Sequence, residues 1–231
     1  MKISKDLLNN DVPAEGQLEK DEWAAFYPCA NADLKIAFLG NSITRHGVAE
    51  ELGWYGDWGM AASRRGNDYV HRLVGLLEDD GKRISYCIVN LSEWERTRDN
   101  SLLDRYAEVK NFNADIVIVR LGENARLTEN LEEFESCYKE MTEYFSGGAA
   151  VVLTDLFWEY GPFDGFVKKL AEEKGYAFVK IHDLGNDESM KAAGKFAHGG
   201  VAAHPGDKGM SEIASRIYKA LVFTQKRRST E

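Results

Sequence analysis

Short apolar runs alternate with stretches of helical periodicity along most of the chain. The apolar runs predict five buried strands, at residues 34–39, 84–89, 115–120, 149–154 and 177–181. Apolar residues at helical spacing predict helices at residues 68–78, 102–110, 128–145, 166–174 and 207–223, with Thr128 as a cap. Strands that alternate with helices favour a parallel sheet covered on both faces. Residues 34–223 are therefore expected to form one three-layer α/β/α sandwich.

The two ends of the chain lack this pattern. Residues 1–33 are polar and acidic except for an aromatic cluster at residues 23–28. They are expected to be an N-terminal extension whose aromatic side chains dock on the main domain. Residues 224–231 contain the basic run 226–228 and are expected to be a charged C-terminal tail.

Composition narrows the class of protein. A chain of 231 residues with 44% hydrophobic and 29% charged residues is typical of a globular protein. The net charge of −9 repels phosphate backbones, so no nucleic-acid partner is expected. No run approaches the ~18 apolar residues of a membrane span, and the first residues do not resemble a secretory signal. Three widely spaced cysteines predict neither a zinc site nor a disulfide framework, and a reducing cytoplasm fits best. The oligomeric state is left open.

Three polar side chains lie near the expected carboxyl edge of the sheet, where such sheets bind ligands. Ser42 follows the first strand on a glycine-containing turn, and a serine nucleophile needs a base beside it. Asn124 follows the third strand, and its amide could hold an oxyanion. His204 precedes the last helix and could reach the first turn. Each also has an ordinary structural alternative, as a cap, a turn residue or a structural histidine. The structural interpretation is preferred for the remaining histidines, which are His46, His71, His182 and His198.

Together, Gly40-Asn41-Ser42, Gly122-Glu123-Asn124 and His204-Pro205 resemble the SGNH, or GDSL-like, hydrolases in their order and strand-end placement. The resemblance covers about residues 34–223 and implies a flavodoxin-like sheet. It also implies ester hydrolysis, with Ser42 as nucleophile and His204 as base. Asn124 and the Ser42 backbone N–H would form the oxyanion hole. The resemblance implies no metal and no organic cofactor.

The chain departs from the family pattern at three positions. Asn41 replaces the usual Asp of the first motif, which is not the triad acid. Glu95 stands where the second motif has a Gly whose backbone N–H serves the oxyanion hole. The backbone N–H of Glu95 is expected to take that role, with Gly59 as a weaker alternative. Val201 stands three residues before His204, where the family has its acid.

Two arrangements could orient His204 without that acid. A backbone carbonyl could accept from the ring, as in dyad branches that the family contains. Alternatively, a relocated carboxylate could do so, with Asp155 and Glu159 after the fourth strand as the candidates and Asp183 as a weaker one. The carbonyl is favoured because Asp155 and Glu159 also fit ordinary roles as turn and surface residues.

Four of the five tryptophans follow predicted strands: Trp54, Trp58, Trp94 and Trp158. They could line the cleft and stack on sugar rings, or they could fill the cores of loops. The preferred function is a serine esterase or deacylase acting on a small ester, with an O-acylated carbohydrate as one candidate. The alternatives are an acyltransferase with the same residues, a degenerate carbohydrate-binding protein, and a metallohydrolase using His198, His204 and Asp207.

Overall fold

A central six-stranded sheet organises the protein. The structure is a computed structural model that describes residues 24–125 and 131–228, with side chains as far as residue 222. The strands occur in the order β1-β3-β2-β4-β5-β6. Their bounds are β1 (Ala24–Tyr27), β2 (Leu34–Gly40), β3 (Ile84–Asn90), β4 (Ile116–Arg120), β5 (Ala150–Thr154) and β6 (Ala177–Val179). Strands β2 to β6 pair in parallel, and β1 joins the edge of β3 antiparallel.

Helices cover both faces of the sheet. In the described parts of the chain they are α1 (Tyr69–Asp79), α2 (Ser92–Thr97), α3 (Ala107–Asn111), α4 (Leu131–Ser146), α5 (Gly161–Lys174), α6 (Gly199–Ala202) and α7 (Asp207–Arg228). Because side chains alternate along a strand, Ile36 and Phe38 of β2 join one apolar core with α1 and α7. The intervening Ala37 and Leu39 join a second core with α4 and α5. The predicted three-layer sandwich with a flavodoxin-like parallel sheet is confirmed.

The prediction of five strands is one short, because β1 adds a sixth. This strand has only four residues and ends beside Pro28, so it carries too few alternating positions to be recognised. Its aromatics contact the main domain: Tyr27 stacks on Tyr86 with ring centroids 4.5 Å apart, and Phe26 lies 5.9 Å from Phe112. Trp23, from the same aromatic cluster, lies outside the described residues.

Several predicted bounds shift. The last helix continues through Arg228, into the segment that was predicted to be a tail. The predicted helix at 102–110 is a 3₁₀ segment, Asn100–Tyr106, that runs into α3. The predicted cap Thr128 lies outside the described residues. The short helices α2 and α6 were not predicted, because six and four residues are too few to show a helical period.

No helix in the described ranges combines the length and apolarity needed to cross a bilayer.

The register of the sheet brings three strand ends to one place. Gly40, the last residue of β2, is level with Asn90 of β3 and with Arg120 of β4. The loops that follow these strands therefore begin side by side at the carboxyl edge of the sheet.

Candidate active site

Ser42 lies on a tight turn directly after β2. The carbonyl oxygen of Asn41 accepts the backbone N–H groups of Thr44, at 2.9 Å, and Arg45, at 3.0 Å. The turn requires glycine at position 40, because a Cβ there would lie 1.7 Å from Oγ1 of Thr44. The backbone N–H of Ser42 has no acceptor in the part of the chain that the structure describes. This turn leaves the Ser42 side chain half-buried at the edge of the sheet.

His204 meets Ser42 from the loop between α6 and α7. Its Nε2 lies 2.9 Å from Oγ of Ser42, and its Nδ1 lies 2.7 Å from the carbonyl oxygen of Gly200. A carbonyl can only accept a hydrogen bond, so Nδ1 carries the hydrogen. The lone pair of Nε2 therefore faces the serine hydroxyl.

The environment of the imidazole keeps it neutral at pH 7. Burial lowers the pKa of His204 to about 4, and the charge of Arg120 acts in the same direction. The hydrogen bond to Gly200 opposes this shift but is the smaller effect. Trp158 packs edge-on against the ring, with centroids 5.2 Å apart. A neutral, oriented imidazole can accept a proton from Ser42.

Within the described residues, the partner of Nδ1 of His204 is the Gly200 carbonyl and not a carboxylate. Val201 occupies the position of the family's acid, and its side chain is buried in the apolar core with α1 and α7. Asp155 is also buried, but its Oδ2 lies 2.8 Å from Nδ1 of a different histidine, His182. Glu159 is exposed and accepts a hydrogen bond from Asn186 at 3.1 Å. The alternative of a relocated acid is therefore not supported for either residue.

Asp155 belongs to a separate cluster with Asp164 and His182, whose potential metal ligands lie within 4.8 Å of one another. The carboxylate oxygens of this cluster already accept hydrogen bonds from backbone N–H groups of residues 156, 160, 181 and 182. Burial raises the pKa of Asp155 to about 6. These hydrogen bonds connect the segment that follows β5 to the segment that follows β6. The ligand set proposed for a metallohydrolase is not assembled: among the described residues, His198, His204 and Asp207 do not form a cluster of potential metal ligands. The Asp207 carboxylate instead accepts from the backbone N–H and hydroxyl of Ser63.

A buried charge network joins the Ser42 turn to the end of β4. The guanidinium of Arg120 is fully buried and donates to Oε1 of Glu123 at 2.6 Å and to Oε2 at 2.9 Å. It also donates to Oδ1 of Asn41 at 2.6 Å. The Nδ2 group of Asn41 in turn donates to Oε2 of Glu123 at 2.7 Å. The three side chains therefore form a closed ring of hydrogen bonds, and no motif or spacing in the sequence indicates it.

Glu95 extends this network to Asn124. Its carboxylate is fully buried and accepts the backbone N–H of Gly122 at 2.6 Å. It also accepts the Asn124 backbone N–H at 3.1 Å, Nδ2 of Asn124 at 2.7 Å and Nδ2 of Asn41 at 3.1 Å. Gly122 has φ of 137°, a conformation that favours glycine. Burial raises the pKa of Glu95, and the charge of Glu123 adds to this effect.

Of the three backbone donors predicted for the oxyanion hole, those of Glu95 and Gly59 are engaged elsewhere. Glu95 lies in helix α2, so its N–H donates to the carbonyl of Leu91 at 2.8 Å. The N–H of Gly59 donates to the Asp68 carboxylate at 3.2 Å. The prediction assumed an open turn after β3, whereas the chain enters a helix there. What Glu95 contributes to the site is its side chain.

Asn124 is thus held by two hydrogen bonds to Glu95. One of these bonds uses one of the two Nδ2 hydrogens, and the other hydrogen is left for a ligand. Asn124, Ser42 and His204 line the same cleft, whose volume is about 260 Å³. The remaining lining residues are His46, Leu52, Met60, Asn90, Ser92, Arg96, His198, Gly200 and Val201. The structural interpretation preferred for His46 and His198 is incomplete, because both face the cleft, and no pattern around them in the sequence indicates this.

The tryptophans do not form the predicted sugar platform. Trp54, Trp58 and Trp94 are at most 2% exposed, and none of them lines the cleft. Each indole N–H donates to a protein oxygen: His46 O, Ala62 O and Oδ1 of Asn100 respectively. An indole ring whose N–H group has a hydrogen-bond acceptor can be buried in the core of a loop, and these three rings are buried in that way. Trp158, beside His204, is the predicted platform residue that remains partly exposed.

Replacing Arg120 with leucine should destabilise the protein by about 3–5 kcal/mol, because Glu123 is left as an uncompensated buried charge. Urea unfolding monitored by tryptophan fluorescence measures the change. Arg105→Leu is the matched control: it breaks a half-exposed pair with Glu93, 2.8 Å long, and should cost less than about 1 kcal/mol. Equal losses in the two variants would contradict the importance of the buried network.

Comparisons with solved structures bear on the fold. No protein-family model and no curated protein matches the sequence. Among solved structures, the esterase EstA from Pseudoalteromonas sp., inhibited by monoethylphosphonate, matches with a TM-score of 0.56 and 13% identity, covering 84% of this chain and 100% of that one. A family 3 carbohydrate esterase from Clostridium thermocellum matches with a TM-score of 0.57 and 16% identity, covering 84% and 98%.

A lipolytic protein of the G-D-S-L family from Desulfitobacterium hafniense also matches. Its TM-score is 0.50 and its identity 18%, and the match covers 81% of this chain and 99% of that one. These structures and the observed strand order agree with one another. The chain therefore has the fold of the SGNH, or GDSL-like, hydrolases.

Proposed function

We propose that this protein is a serine esterase or deacylase that hydrolyses a small ester through an acyl-enzyme on Ser42. The observation that carries the proposal is the 2.9 Å contact between Oγ of Ser42 and Nε2 of His204. The imidazole is neutral and its other nitrogen is held by Gly200, as a general base requires. The likeness to solved esterases supports the same reaction class.

In the proposed reaction, His204 takes the hydroxyl proton as Oγ of Ser42 attacks the ester carbonyl carbon. The resulting oxyanion accepts hydrogen bonds from the Ser42 backbone N–H and from Nδ2 of Asn124. His204 then gives its proton to the leaving alcohol, and an acyl-enzyme remains. Water attacks the acyl-enzyme with His204 again as base, and this step releases the acid and restores Ser42.

The proposed base works in a dyad. The Gly200 carbonyl fixes the tautomer and orientation of His204, but it has no full negative charge to stabilise the imidazolium that forms during catalysis. This agrees with the low pKa of the imidazole. A dyad of this kind gives a weaker base than a triad, and one that stays unprotonated in mildly acidic solution.

The size of the cleft favours a small substrate. A volume of about 260 Å³ accommodates a short acyl group and part of an alcohol. An O-acylated carbohydrate is one such ester, and a carbohydrate esterase is among the similar structures. Trp158 is the aromatic ring beside His204 on which a sugar could pack.

A fluorophosphonate probe should add one label to the wild-type protein, on the peptide that contains Ser42. Ser42→Ala should abolish the label and lower kcat on p-nitrophenyl acetate by roughly 10³-fold or more, because nucleophile and base act as a unit. Intact-protein and peptide mass spectrometry measure the label. Ser92→Ala is the control, since Ser92 lines the same cleft without a histidine partner and should leave the label in place. A label that survives in Ser42→Ala would refute the nucleophile.

Asn124→Ala should lower kcat by on the order of 10²–10³-fold with little change in KM, because the amide acts mainly on the transition state. Steady-state kinetics with the same ester provide the measurement. Asn186→Ala, which removes an exposed amide bound to Glu159, should leave kcat unchanged. If Asn124→Ala keeps wild-type kcat, the residue only shapes its loop.

The burial of His204 predicts an unusually low acid limb in the pH profile. The base is active only when Nε2 is unprotonated, so kcat/KM should stay level from neutral pH to about pH 5 and fall as the pH drops through about 4. Circular dichroism at each pH separates this loss from unfolding. An acid limb above pH 6 would contradict the lowered pKa of His204 as the proposed base.

The candidate acids give a second test of the dyad. Asp155→Asn and Glu159→Gln should each lower kcat less than about tenfold, whereas loss of a triad acid costs about 10⁴-fold. A decrease near the larger value in either variant would replace the dyad with a relocated triad.

A further inference from the structure

The cleft has a charge opposite to that of the chain. The protein carries a net charge of −9, with 38 acidic and 29 basic residues. Yet the titratable residues that line the cleft are Arg96 and three histidines, and no described Asp or Glu lines it. Acidic surfaces elsewhere and a basic lining here give an anionic ligand a preferred place to bind.

Arg96 is the permanent cation of this lining. It lies on α2, which begins two residues after β3 ends, so the helix holds it at the carboxyl edge of the sheet. Among arginines whose side chains are described, Arg96 is the one without a hydrogen bond or ion pair to another described residue. Its neighbours along the chain are paired: Arg98 with Glu133 at 3.1 Å and Arg105 with Glu93 at 2.8 Å. The guanidinium of Arg96 is thus available to a ligand.

The charge of Arg96 acts inside the cleft. Burial, aided by the charge of Arg96, lowers the pKa of His46, which lines the cleft with Ser42. His46 is therefore neutral at pH 7, and its Nδ1 lies 2.7 Å from the Gly47 carbonyl. His204 is neutral as well. Arg96 therefore supplies the permanent positive charge of the lining.

We propose that Arg96 binds a carboxylate of the substrate, so that the preferred ester is an anionic one. The planar guanidinium matches a carboxylate with two parallel hydrogen bonds. A single guanidinium balances the charge of a single carboxylate, whereas a phosphate dianion calls for more cationic partners than this lining offers. The inference rests on the proposed esterase function and specifies its substrate class.

Matched pairs of esters that differ only in charge test the proposal. p-Acetoxybenzoate and p-acetoxybenzamide place the carboxylate or its neutral amide on the alcohol side. Monoethyl succinate and ethyl succinamate place them on the acyl side. The wild-type protein should show kcat/KM at least roughly tenfold higher for the carboxylate in one of the two pairs. Arg96→Gln should reduce this ratio to within about twofold of unity.

Arg64→Gln is the matched control. It removes the same charge from an exposed arginine outside the cleft that is bonded to Asn67, and it should keep the wild-type ratio. Equal kcat/KM within both pairs, or a preference that Arg96→Gln leaves intact, would overturn the inference while the esterase function stands.

Binding measurements test the anion site independently of the proposed esterase activity. In the Ser42→Ala background, calorimetric titration with the same four esters should give tighter binding of the carboxylate form, and adding Arg96→Gln should abolish the difference. If the wild-type protein hydrolyses none of the four esters but this Arg96-dependent binding is seen, the anion site stands and the esterase proposal fails. If the Ser42→Ala protein binds both forms equally or neither form, the anion site is refuted.

Discussion

The fully buried guanidinium of Arg120 is the constraint on which the active edge of the sheet depends. A cation without solvent needs acceptors around it, and Glu123 and Asn41 supply them at 2.6–2.9 Å. Such a group adds little net stability, but it is costly to leave without its partners. The turn after β2 and the loop after β4 therefore cannot move apart without exposing a charge to an apolar interior. Ser42 lies on that turn, and Asn124 lies on that loop.

The same network accounts for two of the positions at which the sequence departs from the SGNH motifs that it resembles. With Glu95 and Glu123 both near position 41, an aspartate there would add a third carboxylate with no donor to offer. Asn41 instead donates Nδ2 to both carboxylates and accepts from Arg120 through Oδ1. Asn41 is therefore the natural partner of a buried Glu95. Glu95 stands where the motif of the SGNH hydrolases has a glycine, and its carboxylate accepts the hydrogen bonds that hold Asn124.

The sequence predicted the features that depend on local pattern and on order along the chain. The spacing of apolar residues predicted the three-layer fold, because a strand that is buried on both faces of a parallel sheet is visible in the sequence as a continuous apolar run. The order of the motifs along the chain predicted that Ser42 and His204 lie at one edge of the sheet, and the structure places the two side chains in contact.

Features that depend on tertiary packing were not predictable in the same way. The segment containing Glu95 could be an open turn, with the backbone N–H of Glu95 facing the site, or a helix, with its side chain facing the site. Six residues are too few for the sequence pattern to distinguish a turn from a helix. The burial of Trp54, Trp58 and Trp94 likewise depends on how loops fold over the sheet. Strand-end position alone cannot distinguish a cleft wall from a loop core.

The antiparallel strand β1 limits the association of one molecule of this protein with another through their sheet edges. It pairs along β3 from Ala24 to Tyr27 and occupies hydrogen-bonding groups that would otherwise form an open sheet edge. Unprotected edges act as templates for strands of neighbouring molecules, which leads to aggregation or domain swapping. At the opposite side, β6 has only three residues and offers little to such pairing. A version of the chain shortened to begin at Leu34 would keep every residue of the cleft. It would lose β1, however, and the edge of β3 would be open to pairing with other molecules.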